Sequence, residues 1–250
     1  MDTNKFIKYA YRVVYVLAAF LAFLFVLFGI WLELNKDPDP LARQRKADEL
    51  FGPTVINPNL PKPWPPAMNE PYPDLSLIDA GGQALKLSDL QGKVIVVEFI
   101  DMTSPISQSY SGAKEKGVYG DTSKTFDETY SSFEDTVSKE LQDQLTLPNP
   151  DLVIVKIIIY NEKGEQANPN DAEGWANHFG FIRANNYIVC VPEKDIRHRT
   201  TSKLIPGFQL IDKDFNLRVD SAGLKPKHSL QFSLVTMIPT LLEATPEEEQ

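Results

Sequence analysis

The interpretation of this sequence rests on one stretch, Lys93-Val-Ile-Val-Val-Glu-Phe-Ile-Asp-Met-Thr-Ser-Pro-Ile-Ser107. Its first half, Val94 to Ile100, is apolar, rich in β-branched residues and interrupted by a single charge. Such a short apolar run predicts a strand at the centre of a sheet, buried on both faces. The second half is a polar loop, in which a serine followed by a proline can also serve simply as a turn and helix cap.

Two segments around this stretch carry a resemblance to a known family. The segment from Tyr72 to Lys93 places a strand, a turn, the letters LSDL and then GKVIVVEF in one order. Further along, Ile205-Pro206 precedes an apolar strand at residues 208–213 and a turn at Asp214-Phe215-Asn216. This order resembles the membrane-anchored thioredoxin-like and redoxin (TlpA, AhpC/TSA-like) family. The resemblance covers residues 72–243, with phenylalanine at position 215 where the family usually has glycine.

The resemblance implies an α/β, thioredoxin-like fold, in which a central mixed sheet is covered by helices on both faces. It also implies a Cys-x-x-Cys motif after the central strand, usually Cys-Pro-x-Cys. The matching residues here are Ser104, Pro105, Ile106 and Ser107. A hydroxyl cannot form a disulfide, so Ser104 and Ser107 are expected to be a degenerate catalytic pair. Pro206 matches the cis-proline of the family and is expected beside that site.

The N-terminal residues predict a membrane anchor. After a flank at residues 1–12, residues 13–32 form an uncharged apolar run, long enough to span a bilayer core of roughly 30 Å. Basic residues are nearly balanced on the two sides, so orientation comes from the resemblance. It implies a single-pass protein of the bacterial inner membrane with its C-terminal domain in the periplasm.

The segments after the anchor predict a linker and one domain. Residues 33–71 are expected to form a short helix and a proline-rich spacer, with Trp64 as a contact if the prolines bind a partner groove instead. The domain is expected at residues 72–243 and an acidic tail at 244–250. Within the domain, Gly112, Gly117 and Gly120 predict an inserted loop.

Helical segments are predicted from caps and apolar spacing. Thr125-Phe-Asp-Glu128 matches a capping box, and apolar residues from Phe126 to Leu145 recur at helical spacing behind it. A short helix is expected from Asp171 to Phe181 and a closing helix from Ser229 to Leu242.

Composition and motifs exclude several function classes. The chain has 34 acidic and 25 basic residues, and this acidic balance argues against a nucleic-acid partner. No nucleotide-binding, zinc-protease or zinc-ligand motif is present, and nothing near Ser104 resembles a hydrolase nucleophile elbow. The resemblance reaches Sco-type copper chaperones, but the cysteine pair that holds copper is missing, and copper(I) prefers sulfur. No cofactor is therefore expected.

Two functions remain open at this stage. In the first, the domain has lost redox chemistry and acts as a binding or assembly subunit of a membrane protein complex. In the second, it is a thiol-disulfide oxidoreductase or peroxiredoxin-like enzyme. That alternative needs either Cys190 or cysteines that engineering has replaced at positions 104 and 107. Cys190 lies in a predicted strand, Tyr187 to Val191, so a buried and inert thiol is expected.

Overall fold

The computed structural model describes residues 57–121 and 125–244. The predicted anchor at 13–32, its N-terminal flank, the short helix after it and nearly all of the acidic tail lie outside the described residues. Within the described ranges, no helix combines the length and apolar character that crossing a bilayer requires.

The described chain folds around one seven-stranded mixed sheet, which confirms the predicted α/β class. The strands are β1 (Ser76–Asp79), β2 (Ala84–Lys86), β3 (Val94–Asp101), β4 (Leu152–Tyr160), β5 (Tyr187–Pro192), β6 (Gly207–Ile211) and β7 (Leu217–Ala222). Their order across the sheet is β2-β1-β5-β4-β3-β6-β7. The three middle neighbours β3, β4 and β5 run parallel, and the remaining pairs are antiparallel.

Six α-helices accompany the sheet in the described residues. They are α1 (Pro105–Tyr110), α2 (Ala113–Lys116), α3 (Phe133–Leu141), α4 (Pro169–Phe179), α5 (Arg199–Ser202) and α6 (Thr236–Glu243). The closing helix begins as a π-helical turn, Leu230–Val235, before α6. The change falls at Val235, four residues before Pro239, where the proline ring excludes the usual hydrogen bond.

The longest helices, α3, α4 and α6, lie on one face of the sheet, and the other face carries shorter helical segments such as the 3-10 helix Leu87–Leu90, whose Leu87 and Leu90 pack on the core there. The buried residues of α3, α4 and α6 pack with one set of strand residues, such as Val96 and Ile100. The alternate residues, such as Val97 and Phe99, belong to a separate cluster on the other face. Both parallel crossovers, β3 to β4 and β4 to β5, step in the same direction. Because such crossovers are right-handed, their helices fall on the same face.

A proline-rich strap, residues 57–71, covers part of the opposite face. Its Leu60, Trp64 and Met68 pack against the core cluster that contains Phe99. The Trp64 indole meets the Phe99 ring edge-on, with 6.1 Å between centroids, and donates a hydrogen bond of 3.1 Å to the Thr201 hydroxyl. The described part of the predicted spacer is therefore an integral layer of the domain. Sequence could not reveal this, because the segments that cover each face are decided only when the sheet has formed.

The strap also completes the sheet edge and a hairpin. Asn69 and Glu70 exchange main-chain hydrogen bonds with Leu217 at the start of β7. Phe215, in the turn between β6 and β7, has a positive φ of 69°, which is rare for a bulky residue. Its ring packs edge-on against Tyr72, with 6.0 Å between centroids. Burial of the Phe215 ring offsets the conformational energy cost of its positive φ.

Candidate functional site

The predicted site lies where β3 ends and α1 begins. Asp101 closes the strand, and its carboxylate accepts hydrogen bonds from the Thr103 amide and hydroxyl, at 2.8 and 2.7 Å. Ser104 is the N-cap of α1, and Pro105 occupies the first helical turn, where a missing N–H does no harm. The local sequence therefore folds as strand, tight turn and helix, which agrees with the prediction from the stretch at 93–107.

Both serine hydroxyls are engaged with main-chain amides. The Ser104 hydroxyl accepts a hydrogen bond from the Ser107 amide at 3.4 Å. The Ser107 hydroxyl accepts one from the Asp101 amide, also at 3.4 Å. Ser107 is fully buried and Ser104 is 8% exposed. Among the described residues, neither hydroxyl is hydrogen-bonded to a histidine or carboxylate base, which a serine nucleophile needs. Ser104 therefore caps α1, and Ser107 forms a buried hydrogen bond with the last residue of β3.

Pro206 lies near α1. Its peptide bond with Ile205 is cis, in agreement with the expectation. Together with Ile106 and Tyr110 of α1, Pro206 lines a groove of about 440 Å³. Ser104 and Ser107 do not line this groove. The structure thus brings Pro206 to a groove that it shares with α1, while the serine hydroxyls are bonded to main-chain amides of the turn.

Two buried polar side chains of α1 hold the inserted loop, which the structure describes at residues 117–121 and 125–132. Gln108 donates to the Met102 carbonyl at 3.0 Å and accepts from the Tyr119 amide at 2.9 Å. Ser109 accepts from the Asp127 amide at 2.8 Å. Sequence reasoning missed both residues. The polar run from 107 to 109, on a helix that had to bury a face, was the signal that could have found them.

These contacts between the loop and α1 explain why α3 begins at Phe133 and not directly after Thr125. Thr125 to Glu128 was expected to cap it, but Asp127 is held by α1 and the chain stays irregular there. Ser132 caps α3 instead, accepting a hydrogen bond of 3.1 Å from the Asp135 amide. The predicted capping box is therefore wrong. Tyr130, expected on the helix, lies in the loop and packs edge-on against Tyr110 at 5.3 Å.

A buried ion pair lies on the helical face of the sheet, and sequence reasoning missed it too. Glu98 of β3 and Lys156 of β4 are paired in register. Their side chains are 1% and 0% exposed, with 2.5 Å between Nζ and Oε2. The Lys156 ammonium also lies 4.3 Å from the centroid of the Phe181 ring. In the sequence, Glu98 and Lys156 are each a single charge within an apolar run. Only the parallel pairing of β3 with β4 shows that the two side chains form an ion pair.

The Glu98 carboxylate is not fully satisfied. Its Oε1 is buried without a hydrogen-bond partner among the described residues. Burial raises the pKa of Glu98, and the neighbouring Lys156 opposes this rise. A buried charge with incomplete pairing is destabilising unless its partner stays in place.

Cys190 is buried in β5, as predicted. Its side chain is fully inaccessible, and the thiol lies 3.6 Å from the Lys156 carbonyl. Burial raises the pKa of the Cys190 thiol above its ordinary value, which disfavours the reactive thiolate. The described residues contain no group of three histidine, cysteine or acidic side chains placed to hold a metal ion.

The similarities to known proteins are similarities of fold. No family model matches the sequence, and no curated protein does. Among solved structures, a thiol-disulfide isomerase from Corynebacterium glutamicum is 17% identical, with 71% of this chain and 98% of that chain covered and a TM-score of 0.43. A thioredoxin-like superfamily protein is 20% identical, with coverages of 72% and 99% and a TM-score of 0.43. BsSco, a member of the Sco family of cytochrome c oxidase assembly proteins, is 14% identical, with coverages of 72% and 98% and a TM-score of 0.41. The chain therefore has structural neighbours among thioredoxin-like thiol-disulfide oxidoreductases and Sco-type proteins.

Proposed function

We propose that this chain is a thioredoxin-like binding or assembly subunit of a membrane protein complex that has lost the dithiol reaction. One observation carries the proposal. Hydroxyls stand at both positions of the expected cysteine pair, and both are engaged with main-chain amides. A dithiol cycle needs two sulfurs that form and break a disulfide. The remaining thiol, Cys190, is buried in the sheet and separate from this turn.

The proposed location follows from residues 13–32. An apolar run of this length suits a single-pass anchor, and the resemblance to membrane-anchored thioredoxin-like proteins favours the bacterial inner membrane with the domain in the periplasm. Extraction of membranes at alkaline pH should leave the full chain in the pellet, and a variant lacking residues 13–32 should be released. Protease added to spheroplasts should digest residues 57–244 without lysis. Protection of the domain until lysis would contradict the periplasmic orientation.

The catalytic part of the proposal is tested by thiol-disulfide exchange and peroxide turnover. The full chain in detergent micelles is compared with Cys190→Ser, with the Ser104→Cys/Ser107→Cys double variant and with Ser107→Cys alone. We expect no turnover from the native chain and none from the single variant. The double variant should gain exchange activity, because a cap position and the third helical residue bring two thiols within reach. Turnover of the native chain that is lost in Cys190→Ser would overturn the proposal and identify a one-cysteine enzyme.

The encoding gene provides a separate check on positions 104 and 107. If it reads cysteine at both, the serines are engineered, and the natural protein is a thiol-disulfide oxidoreductase. If it reads serine at both, the loss is natural, and the search for function turns to binding partners.

A further inference from the structure

The segment that follows β7, residues 224–232, leaves large apolar side chains open to solvent. Phe232 is 74% exposed and Leu224 is 53% exposed. Both ends of the segment lie at one place on the surface, because Leu224 and Gln231 line the same groove. The turn before Phe232 is fixed by the Ser229 hydroxyl, which accepts a hydrogen bond of 3.2 Å from the Phe232 amide. Grouped apolar side chains of this exposure indicate an interaction surface.

The same segment is basic, although the chain as a whole is acidic. Lys225 and Lys227 are exposed, and the sequence has no acidic residue between Asp220 and Glu243. The Asp220 carboxylate lies 3.8 Å from the Lys227 ammonium and balances one of the two charges. The segment therefore keeps a net positive charge.

The charged residues around the segment set the limits of this basic surface. Lys203 is exposed, and its carbonyl lies against Gly223, directly before the segment. The loop across the groove carries Asp127 and Glu128 together with Lys139, whose ammonium donates a hydrogen bond to a hydroxyl that lines the groove. That wall is of mixed charge. The positive surface is therefore formed by the segment itself and Lys203.

The acidic end of the closing helix lies away from the segment. The Lys213 ammonium donates to the carbonyls of Leu242 and Ala244, at 2.6 and 2.7 Å. Lys213 belongs to the turn between β6 and β7, and this turn lies at the edge of the sheet opposite to the end of β7. Glu243 is therefore held at the far edge and does not neutralise residues 224–232.

The segment lies at the edge of the sheet where the described chain begins. Gly223 donates its amide to the Pro206 carbonyl at 2.9 Å. Asn57, the first described residue, donates its side-chain amide to the carbonyls of Asp195 and Arg197, at 3.0 and 3.2 Å. Both sets of contacts are made with the connection between β5 and β6, which crosses this edge. The chain that comes from the predicted anchor therefore enters the domain on the same side as the basic, apolar segment.

We propose that residues 224–232 rest on the surface of the bilayer that holds the predicted anchor. Phe232 and Leu224 enter the headgroup layer, and Lys225 and Lys227 face anionic lipid phosphates. Lysines beside aromatic and aliphatic side chains are typical of segments that lie in a membrane interface, and each basic residue near an anionic surface adds to the attraction. The anchor keeps the domain close to the bilayer, so a contact that is weak by itself becomes populated. This inference rests on the proposed membrane location and names the face of the domain that turns toward the lipid.

The test uses the full chain in lipid nanodiscs of phosphatidylcholine alone, or of equal parts of phosphatidylcholine and phosphatidylglycerol. Cys190 is the single cysteine of the chain, so a Cys190→Ser background accepts a fluorophore at one chosen position. Gln231→Cys places it beside Phe232, and Ile182→Cys places it at a residue that is 55% exposed and precedes β5, at the opposite edge of the sheet. Lipids with nitroxide-labelled headgroups quench a fluorophore that touches the membrane surface. We expect quenching at position 231 to exceed that at position 182 about threefold or more in the anionic nanodiscs.

Matched variants separate the apolar part of the contact from the charged part. Phe232→Ser should lower quenching at position 231 to the level of position 182. The fold should be kept because the ring is 74% exposed, and urea unfolding checks this. Ile182→Ser makes a similar apolar-to-polar change at the opposite edge and should leave quenching at position 231 unchanged. Lys225→Gln/Lys227→Gln should remove the difference between the two lipid compositions, and high salt should do the same to the native chain by screening.

Equal quenching at positions 231 and 182 in both nanodiscs would overturn the inference, and so would a Phe232→Ser variant that is quenched like the native chain. A fluorophore at position 231 that is shielded from aqueous iodide in native membranes, but is not quenched by nanodisc lipids, would assign this surface to a protein partner instead. Alkaline extraction separates this failure from that of the proposed location. If the full chain is released from membranes, the location fails and the inference fails with it. If the chain stays in the pellet while both positions are quenched alike, the location stands and only the contact at residues 224–232 is wrong.

Discussion

The buried Glu98–Lys156 pair gives the sharpest test of how this fold is stabilised. In Lys156→Met, a side chain of similar length fills the same space but leaves the Glu98 carboxylate in the sheet without a cation. Glu98 is 1% exposed, and its Oε1 already lacks a partner among the described residues. Breaking one side of such a pair costs about 3–5 kcal/mol. We therefore expect the free energy of unfolding of Lys156→Met to fall by about this amount at pH 7.

The double variant Glu98→Leu/Lys156→Met is the matched control. Replacing both partners of a buried pair by apolar residues is often neutral, or stabilising by about 1–4 kcal/mol. The double variant should therefore be at least as stable as the native chain, and far more stable than Lys156→Met. The assay is urea unfolding of the full chain in detergent micelles, followed by tryptophan fluorescence, to which the fully buried Trp175 contributes.

The contribution of Glu98 to the free energy of unfolding depends on pH in a defined direction. Burial raises the pKa of Glu98 in the folded state, so the folded chain binds this proton more readily than the unfolded chain. The contribution of Glu98 to stability therefore falls as the pH rises above the unfolded pKa, by at most about 1.4 kcal/mol per pH unit. The loss of unfolding free energy in Lys156→Met, relative to the native chain, should become smaller at mildly acidic pH. In Glu98→Gln/Lys156→Met this loss should be smaller than in Lys156→Met at every pH. A deficit below about 1 kcal/mol at pH 7, or a double variant as unstable as the single, would refute the reasoning.

Three further changes test the cap, the strap and the inserted loop. Ser104→Ala removes the cap of α1 and should lower the free energy of unfolding by about 1 kcal/mol, measured by urea unfolding. Trp64→Ala should lower it by roughly 2 kcal/mol, less than for a fully buried ring because the indole is only partly buried. Gly174→Ala places a methyl group against the Tyr119 hydroxyl and should speed hydrogen exchange of the inserted loop, measured by mass spectrometry.

Each of these changes has a control in the chain. Ser104→Thr keeps a hydroxyl and should retain most of the capping energy; equal losses for both variants would argue against a cap. Trp64→Phe keeps an aromatic ring and should lose only its indole hydrogen bond, about 1 kcal/mol. If Trp64→Ala is as stable as native, the strap is not part of the core. Glu173→Ala lies on the same helix as Gly174, and unchanged exchange is expected there.

Much of the candidate site could be predicted because its signals are local. Ser104 followed by Pro105 after a strand is a cap that neighbouring residues form by themselves. That positions 104 and 107 carry hydroxyls is likewise read directly from the sequence. The start of α3 could not be predicted in this way. Thr125 has the right local pattern, but Asp127 is bound to Ser109, and this contact between distant segments outcompetes the capping box.

The sequence by itself determined the buried strands, the α/β order and the burial of Cys190 in a strand, because short-range patterns encode each of them. Only the tertiary structure decided what covers the second sheet face. Two right-handed crossovers in the same direction place α3 and α4 on one side, and the proline-rich strap with Trp64 packs on the other. It also decided that Glu98 meets Lys156. The pairing of distant strands sets both outcomes, and no periodicity within a single segment records that pairing.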